Sequence, residues 1–373
     1  MNIAFVDVTA TVSFGGVQTA IWELARTLTD FGHQVTIYGG LGNIQPDLGN
    51  RPIQVRQFKF TPRAQILDLG SRFKRFGERW TFCNHALKTV AAAGHDWIVL
   101  TKPLDFFWPW RMPSDSYTKF CFMSGGTSFM AFDRKLAKKV DAWAACSHFN
   151  AWQIAQRYKR FPKVMFNGVD VDAFRPQENR PRIRAQLGYQ PDDVVLAFAG
   201  RLVGWKGLAV VIKALAQPGL KNLAHLKLLL VGNGEQKNEL IQLAQSCGLA
   251  DRVRFHGAVP HRELPTLYTA ADIGVFPSIG DEAFGITIAE AMASGLPVIA
   301  SHIGGIPEVV GNEGGCGLLV EPGDVPAWAE VIHLLANDAE RRIAMGQQAR
   351  QRIVEHYTWA KAGKRFLKIL ENR

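Results

Sequence analysis

Two doubly wound α/β domains are the architecture predicted by this 373-residue sequence, and three observations carry the prediction. Short runs of Val, Ile, Leu and Phe alternate with segments of helical period along nearly the whole chain. The runs are continuous rather than apolar–polar alternating, as expected of strands covered on both faces in parallel sheets. The series breaks once, at the Pro- and Arg-rich "FRPQENRPRIRAQLGYQPDD" (174–193), and then restarts, which gives two α/β layers rather than one.

In chain order, the first series of strands covers 2–8, 33–40, 97–101, 118–123, 142–147 and 163–169, with helical segments at 17–31, 63–82 and 148–157. The second series covers 194–200, 226–232, 252–257, 272–278, 296–301 and 317–320. The expected organisation is an N-terminal domain over 1–175, a C-terminal domain over 176–355, and an amphipathic helix within 356–373 able to pack back on the N-terminal domain.

Composition excludes several classes of protein. No run of about 18 apolar residues is present to form a spanning helix, and "MNIAFVDV" reads as a first strand rather than a leader. Five scattered cysteines without a Cys-x-x-Cys pair fit a reducing cytoplasm and argue against a disulfide framework or zinc site. Ten dispersed histidines show no ligand spacing, so no metal is expected. The net charge of +10 is uneven: residues 1–176 hold 22 Lys and Arg against 13 Asp and Glu, the remainder 21 against 20. A basic first half calls for an anionic partner; no motif supports nucleic acid.

In doubly wound sheets, ligands bind where strand ends meet helix N-termini. Gly15-Gly16 opens the first helix and lets backbone amides approach a ligand, although such a turn is more often a plain connector. "AGRLVGWKGL" is stronger: Arg201 leaves a strand end and Lys206 precedes a helix start, two cations suited to a diphosphate. Gly232-x-Gly234 lacks the third glycine of a dinucleotide fingerprint, position 237 being Lys.

"DEAFGITIAEAMASGLPVIAS" (281–301) places Glu282 on a loop and Glu290 eight residues later within a helix expected to begin near Phe284. That separation is at most about 12 Å of helical rise, comparable to the span from ribose to sugar in a nucleotide sugar. A carboxylate accepts two hydrogen bonds from a vicinal diol, and the amides of Phe284, Gly285 and Ile286 would face phosphate. Glu290 has only apolar or small neighbours in sequence, so it is expected to be buried and paired rather than solvated.

"PSIGDEAFGITIAEAMASGLPVIASHIGGIPEVV", with "FGGVQ", "FNGVDVDAFRP", "GRLVGWKG", "VGNGE", "FHGAVP" and "GCGLLVEPGD", resembles the retaining GT-B glycosyltransferases of glycosyltransferase family 4. The resemblance spans most of the chain. It implies two Rossmann-like domains facing each other across a cleft, and hexose transfer from a nucleoside-diphosphate sugar to a saccharide or lipid-linked acceptor. By the same resemblance, Arg201 and Lys206 would hold the diphosphate and Glu290 the ribose. Glu282 with Phe284-Gly285 would hold the sugar and distal phosphate, Gly257–Val259 would border the base, and Gly15-Gly16 would close from the other domain. No cofactor or metal is implied. Where many relatives carry His-Gly, this chain has Ser124-Gly125, which become the acceptor-side candidates. His148 is read as structural.

On the acceptor half, 63–82 would set Leu69, Phe73, Phe76 and Trp80 in one stripe beside Arg72, Lys74, Arg75 and Arg79. That pattern suits either a sheet-packed helix or a contact with an anionic membrane surface. "KPLDFFWPW" (102–110) reads as a sugar platform or a buried plug. The expected setting is cytoplasmic, peripheral on the inner membrane face, in polysaccharide or lipopolysaccharide synthesis. The alternatives are a nucleotide-sugar epimerase on the same fold and a relative that binds donor without transfer.

Overall fold

The computed structural model describes residues 1–13, 15–126 and 133–371. The chain forms two compact units, Met1–Gly168 joined by the final segment from Trp359, and Val169–Thr358. The first unit thus closes at Gly168, ahead of the end at 175 that the linker composition suggests. Hydrogen bonding explains the difference: Val169 N donates to Tyr357 O at 2.8 Å, and Arg350 donates to the carbonyls of Phe174 at 2.9 Å and Val171 at 3.3 Å. All five residues lie in the second unit.

Among the described residues the first unit holds seven strands: β1 (Asn2–Val6), β2 (Gln34–Gly40), β3 (Gln54–Phe58), β4 (Trp97–Leu100), β5 (Lys119–Ser124), β6 (Ala142–Ala145) and β7 (Lys163–Val164). They form one sheet in the order β3-β2-β1-β4-β5-β6-β7, every pair parallel. Sequence reading misses β3. Its "QVRQF" alternates instead of running apolar, because an edge strand here is only half covered. One apolar layer joins the sheet to the helices Gly16–Asp30 and Trp359–Leu370, and the other joins it to Ser71–Ala92 and the buried Phe106, Phe107 and Trp108. The "KPLDFFWPW" loop is therefore mainly a plug, with only Trp110 among its aromatics exposed.

The expected helix over 63–82 is instead a short 3-10 turn at Arg63–Gln65 followed by the helix Ser71–Ala92. Gly70, at φ 95°, turns the chain just before the helix begins. Leu69 consequently lies outside the stripe, and the buried face is set by Glu78, Arg79, Phe82, Cys83, Ala86 and Val90.

The second unit holds β8 (Val194–Ala199), β9 (Leu226–Val231), β10 (Val253–Gly257), β11 (Ile273–Phe276), β12 (Val298–Ser301) and β13 (Gly317–Val320). They pair in the parallel order β10-β9-β8-β11-β12-β13. From β8 the chain winds outward to β10, then returns to β11 and winds the other way. The order therefore reverses between β8 and β11, and a crevice at such a reversal is the usual ligand position in open α/β sheets.

Candidate functional site

Arg201 and Lys206 stand on the loop leaving β8, and Glu282 stands on the loop leaving β11. These are the two loops of the reversal. Lys206 Nζ donates to Glu282 Oε2 in a charge-assisted pair that ties them together, while Ile279 N donates to Trp205 O at 2.8 Å. Lys206 also sits over the Trp205 ring, 4.4 Å from its centroid. Arg201 is exposed, and no ion pair holds it among the described residues.

Local backbone chemistry sets this arrangement. Lys206 ends a 3-10 turn, and Gly207, at φ 66°, precedes the helix Leu208–Leu215. A Cβ on Gly207 would run into the carbonyl oxygen of Pro277, so a glycine is what lets the loops touch. Gly232 and Gly234 have a similar role: Cβ atoms there would strike the carbonyls of Gly200 and Leu202. This Gly-x-Gly packs one strand exit against its neighbour.

The helix after β11 is Ile286–Ala293, starting two residues later than the sequence suggests, with Gly285 at φ 91° before it. Phe284 is buried against Tyr357, with ring centroids 5.7 Å apart. Its side chain is thus a wedge under the loop, and only its backbone is available to a ligand. Gly305 N donates to Glu282 O at 2.8 Å, bracing the loop from the β12 side.

Glu290 is 2% exposed. Its Oε1 pairs with His261 Nε2 at 2.6 Å, while Oε2 is fully shielded and has no hydrogen-bond partner among the described residues. An unpaired buried carboxylate oxygen is costly, a cost that a hydroxyl brought within reach would relieve. Burial, with Glu290 beside it, pushes the Tyr268 hydroxyl well above its ordinary value, so Tyr268 remains a neutral donor, here to Thr287 O at 3.1 Å. Gly257 and Val259 lie on the β10 exit that leads into His261, which brings the expected base-bordering loop to Glu290.

Sequence reasoning missed His261. Its signal was a histidine two residues past Val259, on a loop already singled out. Its ring also lies 5.3 Å from that of Phe174.

In the first unit, Gly15 and Gly16 are exposed at the start of the helix Gly16–Asp30; their neighbour Phe14 lies outside the described residues. Ser124 ends β5 and is buried, its hydroxyl donating to Gly126 O at 3.1 Å. Gly125 is exposed, and a Cβ there would come within 2.9 Å of Val17 Cγ2. The strand ends of β1 and β5 therefore bring these two glycine turns together. His148 opens the helix His148–Tyr158 and lies edge-on to Phe166 at 5.4 Å. Among the described residues no three His, Cys, Asp or Glu side chains cluster as metal ligands.

Two family models match the chain: Glycosyltransferase Family 4 over residues 14–173 and Glycosyl transferases group 1 over 179–352. A D-inositol 3-phosphate glycosyltransferase of Corynebacterium kroppenstedtii is 36% identical over 56% of this chain and 48% of its own length. A GDP-mannose-dependent monoacylated alpha-(1-6)-phosphatidylinositol monomannoside mannosyltransferase of Corynebacterium glutamicum is 32% identical over 64% of each chain. The chain thus spans about half the length of the first relative. Among solved structures, sucrose-phosphate synthase from Thermosynechococcus elongatus superposes with TM-score 0.84 at 24% identity, covering 100% of this chain and 98% of the other. Anabaena HepE in complex with UDP and glucose gives 0.82 at 22%, covering all of both chains. These likenesses establish the fold.

Proposed function

Because the chain belongs to the GT-B glycosyltransferases, we propose that it transfers a hexose from a nucleoside-diphosphate sugar to a saccharide or lipid-linked acceptor, with retention at the anomeric carbon. The observation that carries the reading is the Lys206–Glu282 pair, which joins the β8 and β11 loops at the reversal of the second sheet.

Arg201 and Lys206 take the diphosphate, and the amides opening the helix Ile286–Ala293 add a positive field. Glu282, released from Lys206 as phosphate replaces it, accepts hydrogen bonds from the sugar. Glu290 accepts from the ribose through Oε2. Because that oxygen is shielded, binding requires the carboxylate to turn or the His261 loop to shift.

The step breaks the bond from the anomeric carbon to the diphosphate oxygen, which keeps the electron pair. The acceptor hydroxyl forms the new bond on the same face and passes its proton to that leaving oxygen. Cations and helix amides stabilise the negative charge that grows there, which requires no metal ion.

Donor-dependent melting shifts across UDP-, GDP- and ADP-sugars identify the donor, since a ligand of the folded state raises its stability. Lys206→Ala and Glu290→Ala should each lower kcat/KM for that donor by about 100-fold, as expected for lost charged hydrogen bonds. Unchanged donor affinity and turnover in both variants would sink the assignment.

The exposed Leu67, Leu69, Phe73 and Trp80, with Arg72 beside them and Arg111 4.6 Å over the Trp80 ring, fit peripheral contact with anionic lipid. Vesicle co-sedimentation tests that contact.

A further inference from the structure

The first unit contains a cavity of about 1000 Å³ that the transfer reading does not use. It lies toward the amino-terminal edge of the sheet, lined by residues from the first three positions of strands: Asn2 of β1, Gln34 and Thr36 of β2, and Gln54 and Arg56 of β3. Lys88, Thr89 and Ala92, from the end of the helix Ser71–Ala92, form the opposite wall. Asp7, Gly15 and Gly125 lie past the other ends of the strands, about 13 Å away over the four steps of β1.

The pattern of side chains explains why the cavity exists. Gln34, Thr36 and Tyr38 share one face of β2, while Gln54, Arg56 and Phe58 share that face of β3, in register Thr36↔Gln54 and Tyr38↔Arg56. Toward the carboxyl end this face is apolar, with Tyr38 and Phe58 packed into the core under the helix. Toward the amino end it becomes amide, hydroxyl and guanidinium, and the helix does not close over it. Sheet faces beneath helices are normally apolar, so the switch to polar groups leaves an open pocket where packing would favour a sealed one.

The lining also has a definite charge. Arg56 and Lys88 are its cations and His33 and His95 its imidazoles, and among the described residues no Asp or Glu lines it, although Asp96 stands just behind Asn2, accepting from its backbone N at 2.7 Å. Tyr38 Oη lies 2.8 Å from His95 Nε2, and His95 Nδ1 lies 2.8 Å from Asn2 Oδ1. With Tyr38 donating and Nδ1–H donating to Asn2, the ring is neutral, in keeping with the lowering of its proton affinity by burial and Arg56. Gln34, Gln54, Thr36 and Thr89 offer donors and acceptors of the kind that match a polyhydroxylated ring.

We propose that this cavity is a second small-molecule site that takes a sugar phosphate, its phosphate held between Arg56 and Lys88 and its hydroxyls by the amides and hydroxyls of β2, β3 and the helix end.

The test is isothermal titration of the full chain with glucose 6-phosphate, and separately with inorganic phosphate and with glucose. Arg56 and Lys88 are exposed, so Arg56→Ala and Lys88→Ala should fold as the wild type does, which circular dichroism checks. The expected result is saturable binding of glucose 6-phosphate that weakens about tenfold in each variant, exceeds the affinity for either separate probe, and is unchanged in Lys206→Ala. Three results overturn the proposal. One is no saturable binding up to about 10 mM; another is equal affinity for inorganic phosphate, which would leave no role for the hydroxyl contacts. The third is binding lost in Lys206→Ala but kept in Arg56→Ala and Lys88→Ala, which would place the ligand at the donor loops.

Discussion

Arg79 carries two buried carboxylates in the first unit. Its guanidinium donates to Asp105 and, at 3.2 Å, to Asp7, and all three residues are almost fully covered. Asp7 also accepts from the hydroxyls of Thr101 and Thr9 and from Thr9 N. The two acids part company on that account. Burial alone would raise Asp7, but Arg79 and the hydroxyl donors outweigh it and hold the carboxyl at about 2. Asp105 has fewer donors, and burial pushes it up to about 7 despite Arg79.

The linkage follows in opposite directions. Between 3.8 and about 7 the unfolded chain releases a proton that folded Asp105 keeps, so stability falls as pH rises through that window. Asp7 contributes stability above 3.8 and loses it as pH falls toward about 2. Asp105→Asn should therefore gain on the wild type from pH 4 to 7, by at most about 1.4 kcal/mol per pH unit. Chemical denaturation along a pH series measures the gap; a gap that stays constant would contradict the raised carboxyl.

The helix Ser71–Ala92 shows how one element serves two surroundings. Its buried face includes Glu78 and Arg79, charged residues held by Arg63 at 2.7 Å and by the two aspartates. Phe73 and Trp80 meanwhile remain exposed. The stripe read from sequence spacing is thus split: Phe76 packs on the core and against Phe107, while Phe73 and Trp80 keep exposed surface and the charged Glu78 and Arg79 are drawn in by their ion pairs. Binding to phosphatidylglycerol vesicles should drop by about tenfold in a Phe73→Ser, Trp80→Ser double variant, the expected loss for two interfacial side chains. Equal co-sedimentation of variant and wild type would remove the membrane contact.

At the scale of the molecule, the chain returns to its first unit after completing the second. The helix Trp359–Leu370 places Trp359, Ala362, Phe366, Ile369 and Leu370 in the apolar layer built on the helix Gly16–Asp30. Gly363 permits the close approach, since a Cβ there would come within 2.6 Å of Thr27 Cγ2. Phe366 is wholly buried, so Phe366→Ala should cost the first unit about 3–5 kcal/mol. Native-state hydrogen exchange should then show lost protection in β1 and β2 with β8 and β9 unchanged; unchanged protection in β1 would mean that the final helix is dispensable to that core.

The sequence by itself determined what depends on short range: twelve of the thirteen strands among the described residues, most of which apolar runs declare, the loops bearing Arg201, Lys206 and Glu282, and the helix bearing Glu290. It did not reveal β3, because an edge strand needs no continuous apolar run to be stable. Tertiary structure alone decided which charges meet. Lys206 and Glu282 lie 76 positions apart, His261 and Glu290 lie 29 apart, and Arg79 and Asp7 lie 72 apart. Such pairs are set by sheet order and by the helices packed on the sheets, which bring distant segments side by side and leave no periodic trace along the chain.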